Sequence, residues 1–77
     1  RRNIFILGEV RKPGKYEFTP DMTLLQAIAT AEGYTSRAAE NKASIKRKKD
    51  DQIEILEVEQ DTLLKPEDVI IIKRRWF

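Results

Sequence analysis

The sequence predicts an α+β domain, a mixed sheet of about four or five strands packed on one helix. Three observations predict it. Short apolar, β-branched runs stand near the two ends of the chain, at Ile4-Phe5-Ile6-Leu7 and Val69-Ile70-Ile71-Ile72. One capped amphipathic segment lies between them. Turn-forming pairs divide the remainder into strand-length pieces: Pro13-Gly14, Asp50-Asp51 and Pro66-Glu67.

Residues 3–10 contain the first apolar run and read as a strand. Lys12-Pro13-Gly14-Lys15 follows as a type II turn, with Pro13 presetting φ and Gly14 taking the positive φ of the next position. Residues 16–19 alternate apolar and polar, which predicts the second arm of a hairpin. Thr23, with Gln26 three positions later, forms a capping box. Leu24, Ile28 and Ala31 share a helical stripe, and Gly33 is placed to close a helix of residues 24–32 in the left-handed conformation. Residues 34–41 show no period and read as a loop with at most one helical turn. Residues 44–48 alternate around Ile45, residues 52–58 make a short strand at an edge, and residues 69–72 make the last strand. The most apolar runs belong in central strands. The first and last strands therefore sit side by side and parallel, which is the β-grasp arrangement.

The chain has 77 residues, enough for one domain (residues 1–77) and not for two. It begins with Arg1 and is expected to be a piece of a longer chain. It has no cysteine and no histidine, which removes disulfides, Cys/His zinc sites and nucleophile–histidine pairs. Fifteen basic residues against 13 acidic ones leave a net charge of +2, too mild to imply nucleic acid by itself. No apolar run approaches the length of a membrane span. The acidic pairs Asp50-Asp51 and Glu57-x-Glu59 offer no cleft for catalysis, and no phosphate-binding glycine loop is present, so no enzyme activity, cofactor or metal is expected.

A set of motifs in order carries a resemblance. Gly8-Glu9-Val10, Lys12-Pro13-Gly14, Tyr16, Met22-Thr23-Leu24-Leu25-Gln26-Ala27-Ile28, Gly33-Tyr34-Thr35 and Leu64-Lys65-Pro66-Glu67-Asp68-Val69-Ile70 together resemble the soluble-ligand-binding β-grasp (SLBB) domain. Two positions depart from the family pattern: Glu32 and Glu67 stand where the family has glycine. We expect Glu32 to sit without strain because Gly33 supplies the left-handed residue, and Glu67 to mark a turn that needs no positive φ. The resemblance implies a non-enzymatic module of a bacterial polysaccharide-export protein. Such modules lie in the periplasm, belong to an outer-membrane-associated parent, and assemble into rings. Its implied partners are an acidic polysaccharide, sister subunits or neighbouring domains of the parent protein. The alternatives are a nucleic-acid-binding module of the DNA-uptake type and a ubiquitin-like adaptor that binds protein. The first is disfavoured because the aromatics form no evident stacking platform.

Candidate ligand residues follow from the topology. If residues 44–48 pair antiparallel with the last strand, Lys46 and Arg47 approach Lys73 and Arg75, and the exit of the first strand brings Arg11 and Lys12 to the same end. One basic patch from three segments would attract an anionic polymer. Tyr34 and Arg37 in the central loop join this set; Tyr34 either packs on the helix end or offers its ring to a sugar, and Arg37 has no evident partner. The first and last strands are apolar on both faces while one helix covers only one. We therefore expect an exposed interface containing Ile4, Ile6 and Ile71, with Trp76 and Phe77 as further contact residues.

Overall fold

A computed structural model describes residues 2–76; Arg1 and Phe77 lie outside the described residues. The chain forms β1 (Asn3–Gly8), β2 (Gly14–Glu17), α1 (Leu24–Thr30), β3 (Ala38–Lys49), β4 (Gln52–Val58) and β5 (Val69–Arg74). The five strands make one sheet in the order β2-β1-β5-β3-β4. The central pair, β1 and β5, is parallel, and the other pairs are antiparallel. This is the α+β, β-grasp-like arrangement that the apolar runs predict.

Strand periodicity sorts the side chains. Register aligns Ile6, Ile70 and Ile45 across the three inner strands on the face toward the helix. These three residues, with Ile4, Ile28 and Ile72, are the heart of the core. Burying each such side chain contributes about 1.5–3 kcal/mol. Ile4 and Ile6 are fully buried, so the expectation that they form an exposed interface is overturned: their parity puts them under α1. The outward residues of these strands are Phe5, Leu7, Val69 and Ile71, of which Leu7 is exposed and the others are half-buried.

The helix begins as predicted. Thr23 N–H donates to Gln26 Oε1 at 2.9 Å and Gln26 N–H donates to Thr23 Oγ1 at 3.2 Å. The next two amides, Leu24 N–H and Leu25 N–H, donate to the carbonyls of Thr62 and Gln60 (2.9 and 3.0 Å), so the segment after β4 satisfies donors that a helix start leaves open. The helix ends at Thr30, with Ala31 as its cap.

Three local expectations fail. The connection from β1 to β2 is not a tight type II turn: Gly14 has φ 154° and already belongs to β2. The chain between them detours across the helix end, where Arg11 N–H donates to Gly33 O and Lys12 N–H to Ala31 O. Glu32 and Glu67 both adopt positive φ, 69° and 70°, so the left-handed conformation is kept where the family's glycines are not. The third failure concerns β3, which starts at Ala38 rather than Ser44. Ala38 pairs with Arg74 and Ala43 with Ile72, and the irregularity between them pushes the intervening residues out of the ladder.

The last point moves the basic residues. Lys46 pairs with Val69, at the beginning of β5, so Lys46 and Arg47 lie at the opposite end of the sheet from Lys73 and Arg75. The single patch from three segments does not form.

Candidate functional site

The two ends of the sheet use their basic residues differently. At the end where β5 enters, Asp68 is fully buried and Arg47 closes over it with both arms of its guanidinium: Nε donates to Oδ1 at 2.9 Å and Nη2 to Oδ2 at 2.8 Å. Lys65 N–H also donates to Asp68 Oδ2 at 2.8 Å, which closes the turn before β5. The hydrogen bonds to Asp68 hold the Arg47 pKa above the ordinary arginine value, burial opposes this, and the charges of Asp68 and Glu54 add to the rise. Arg47 is thus a structural cation with its fork occupied. Asp68 escaped the sequence reading as a functional pair because its partner lies on a distant strand; the Pro-x-Asp turn was its only local sign. Lys46, next in sequence, stays exposed on the other face.

The end where β5 leaves is built from the loop after the helix. Gly8-Glu9-Val10 and Gly33-Tyr34-Thr35 clasp each other. Val10 bridges to Tyr34, Thr35 N–H donates to Glu9 O at 3.1 Å, and the Thr35 hydroxyl donates to Glu9 Oε1 at 2.7 Å. Thr35 Oγ1 accepts from Arg37 N–H at 3.2 Å, and Arg37 O in turn accepts from Arg75 N–H at 2.8 Å. This chain of contacts sets Arg37 beside the last residues of β5. Arg37, Arg74, Arg75 and Trp76 line one open surface pocket. Trp76 is 95% exposed, so its indole does not pack back on the sheet. No carboxylate among the described residues lies in salt-bridge reach of Arg37 or Arg74.

The remaining predicted residues separate around this pocket. Lys73 pairs with Glu57 at 3.2 Å and Lys12 with Glu32 at 3.3 Å, both exposed and worth little energetically. Arg11 Nε donates to Tyr34 O at 3.3 Å. Tyr34 packs against the core, its hydroxyl donating to Glu40 O at 3.2 Å and accepting from Gln60 Nε2 at 2.8 Å, so the packing alternative for this ring holds. Phe77 lies outside the described residues. Arg74 was missed; its sign in the sequence was the alternation within Lys73-Arg74-Arg75, which sends neighbours to opposite faces.

A second concavity, beside the start of α1, carries Glu40, Glu59 and Asp61 among its lining residues. Its charge is opposite to that of the arginine pocket. No group of acidic residues among the described residues is arranged to hold a metal ion, and no helix there is long and apolar enough to cross a membrane.

These features define a small β-grasp binding domain with one cationic pocket at a sheet end. The SLBB domain family model matches residues 2–72. The chain belongs to that family, whose members are soluble-ligand-binding modules and not a known family of enzymes. No curated protein matches the chain. The match stops short of Arg74, Arg75 and Trp76, so most of the arginine pocket is built from residues outside it.

Proposed function

We propose that this SLBB domain is a binding and assembly module of a bacterial polysaccharide-export protein, working in the periplasm, and that it contacts an acidic polysaccharide through Arg37, Arg74, Arg75 and Trp76. The observation that carries the reading is one surface pocket lined by three arginine residues and by Trp76, which is exposed. Guanidinium forks match carboxylates bidentately. An indole gives the apolar face of a sugar ring a flat surface to lie on. The acidic concavity beside α1 repels the same ligand and so favours the arginine end.

The test is an amide and indole NMR titration with a uronic-acid oligosaccharide and with a neutral oligosaccharide of equal length. Shifts should gather at Arg37, Arg74 and the Trp76 indole with the acidic sugar only, and should weaken as salt rises. Arg37→Gln with Arg74→Gln should remove them while the thermal midpoint is unchanged. Equal response to the neutral sugar, or shifts centred on Lys46 and Lys48, would defeat the assignment. Tighter binding of single-stranded DNA than of the sugar would favour the nucleic-acid alternative.

A further inference from the structure

We infer that two copies of this chain pair antiparallel through β4, edge to edge and centred on Ile55, to make one continuous sheet. The inference does not depend on the sugar reading. β4 is the last strand in the sheet order, so one side of its backbone has no strand partner among the described residues. Natural sheets blunt such edges with proline, lysine, bulges or short length. The opposite edge, β2, is treated in that way: it has four residues and lies between Pro13 and Pro20. β4 has seven residues, Gln-Ile-Glu-Ile-Leu-Glu-Val, with no proline, glycine or lysine, and pairs with β3 in unbroken register.

The edge also presents apolar surface. Ile53 and Ile55 are 69% and 65% exposed, the two most exposed large aliphatic side chains among the described residues. Both stand on the face away from the helix, opposite Lys48 and Lys46 of β3. Residues facing each other across an antiparallel pair must share a face, so a symmetric β4 pair must centre on a residue. Centring on Glu54 sets that glutamate against its own copy. Centring on Ile55 uses the whole strand and places Ile55 against Ile55 of the second copy. Ile53 then faces Glu57, Glu54 faces Leu56, and no carboxylate of the strand faces another. The partner that best fits this edge is therefore the same edge of a second copy. A contact of this size belongs to the weak, concentration-dependent class.

The chain has no cysteine, which permits a clean positional test. Sedimentation from micromolar to millimolar loading should show the mass rising toward the dimer. Ile55→Lys should stay monomeric throughout, with unchanged amide exchange in β1 and β5. On oxidation, Ile55→Cys should cross-link to itself fastest. Ile53→Cys and Glu57→Cys should cross-link slowly alone and readily when mixed, because the register sets these two positions opposite each other. A monomer at all loadings would overturn the inference. So would a dimer indifferent to Ile55→Lys, or self-linking of Ile53→Cys as fast as that of Ile55→Cys.

Discussion

The two ends of this sheet start from similar sequence and finish with different chemistry. Lys46-Arg47-Lys48-Lys49 and Lys73-Arg74-Arg75 are both dense basic runs near strand ends. In the first, parity turns Arg47 inward above a turn whose Asp68 is fully buried, and the guanidinium is used to neutralise it. In the second, β5 runs on past its pairing with β1, which ends at Gly8 and Ile72, and pairs there with the start of β3. No carboxylate among the described residues lies within salt-bridge reach of its Arg74. A charged residue becomes structural or available according to what the register sets opposite it, and the composition of the run does not decide which.

The largest effect should fall on the first end. Arg47→Ala leaves Asp68 buried without its cation, and removing one partner of a buried pair costs about 3–5 kcal/mol. Arg37→Ala and Arg74→Ala at the other end should each stay within about 0.5 kcal/mol of the parent, as exposed substitutions do. Urea unfolding followed by circular dichroism measures both. Equal losses at the two ends would break the comparison. The raised Arg47 pKa adds stability that is present at every pH below the arginine range and fades only as pH climbs through the folded value. The contrast between the ends should therefore persist across neutral and mildly alkaline pH.

Next in size is a change at the seam that joins the two ends. A Cβ on Gly8 would lie 2.2 Å from the carbonyl oxygen of Ile72, and Gly8 has φ 88°. That carbonyl accepts from Glu9 N–H at 3.0 Å, so the strand cannot withdraw without losing the bond. Gly8→Ala should destabilise by about 1–3 kcal/mol and weaken amide protection at Glu9, where β1 turns into the clasp, more than at Phe5. Hydrogen exchange resolves the two positions. Uniform loss along β1 would mean that the strain spreads through the whole sheet instead of staying at the arginine end.

Most of the fold and part of the site are legible in the amino-acid sequence, for identifiable reasons. The capping box at Thr23 and Gln26, the Asp50-Asp51 turn and the parallel central pair were legible because each rests on local chemistry or on apolar runs too rich for an edge. The start of β3 was not. Between Ala38 and Ala43 the register with β5 shifts, and Glu40 O accepts there from the Tyr34 hydroxyl, a contact between segments with no mark in either. With β3 already under way at Ala38, Ser44 is not its first residue, so Lys46 falls opposite Val69 and far from Lys73. The pocket at the other end was half visible: Arg37, Arg75 and Trp76 were singled out for separate reasons, but only the structure sets them around one space.

The smallest effects should come from the two glutamates in left-handed turns, one at each end. An L-residue with a side chain pays about 1–2 kcal/mol in that conformation, partly offset in the comparison by the extra freedom glycine has when unfolded. Glu67→Gly should therefore raise stability by about 0.5–1 kcal/mol. The Glu67 carboxylate accepts only a long 3.4 Å contact from Asn3 N–H, while its backbone N–H keeps the 2.7 Å bond to Asn3 O whatever the side chain. Glu32→Gly should gain less. It gives up the ion pair with Lys12 and sets two glycines in succession at a point where the β1–β2 connection docks on the helix end. Thermal melts of the two variants rank them. A larger gain from Glu32→Gly would mean that the strain of the fold is concentrated at the arginine end, where a ligand-contacting surface would benefit from a stiff support.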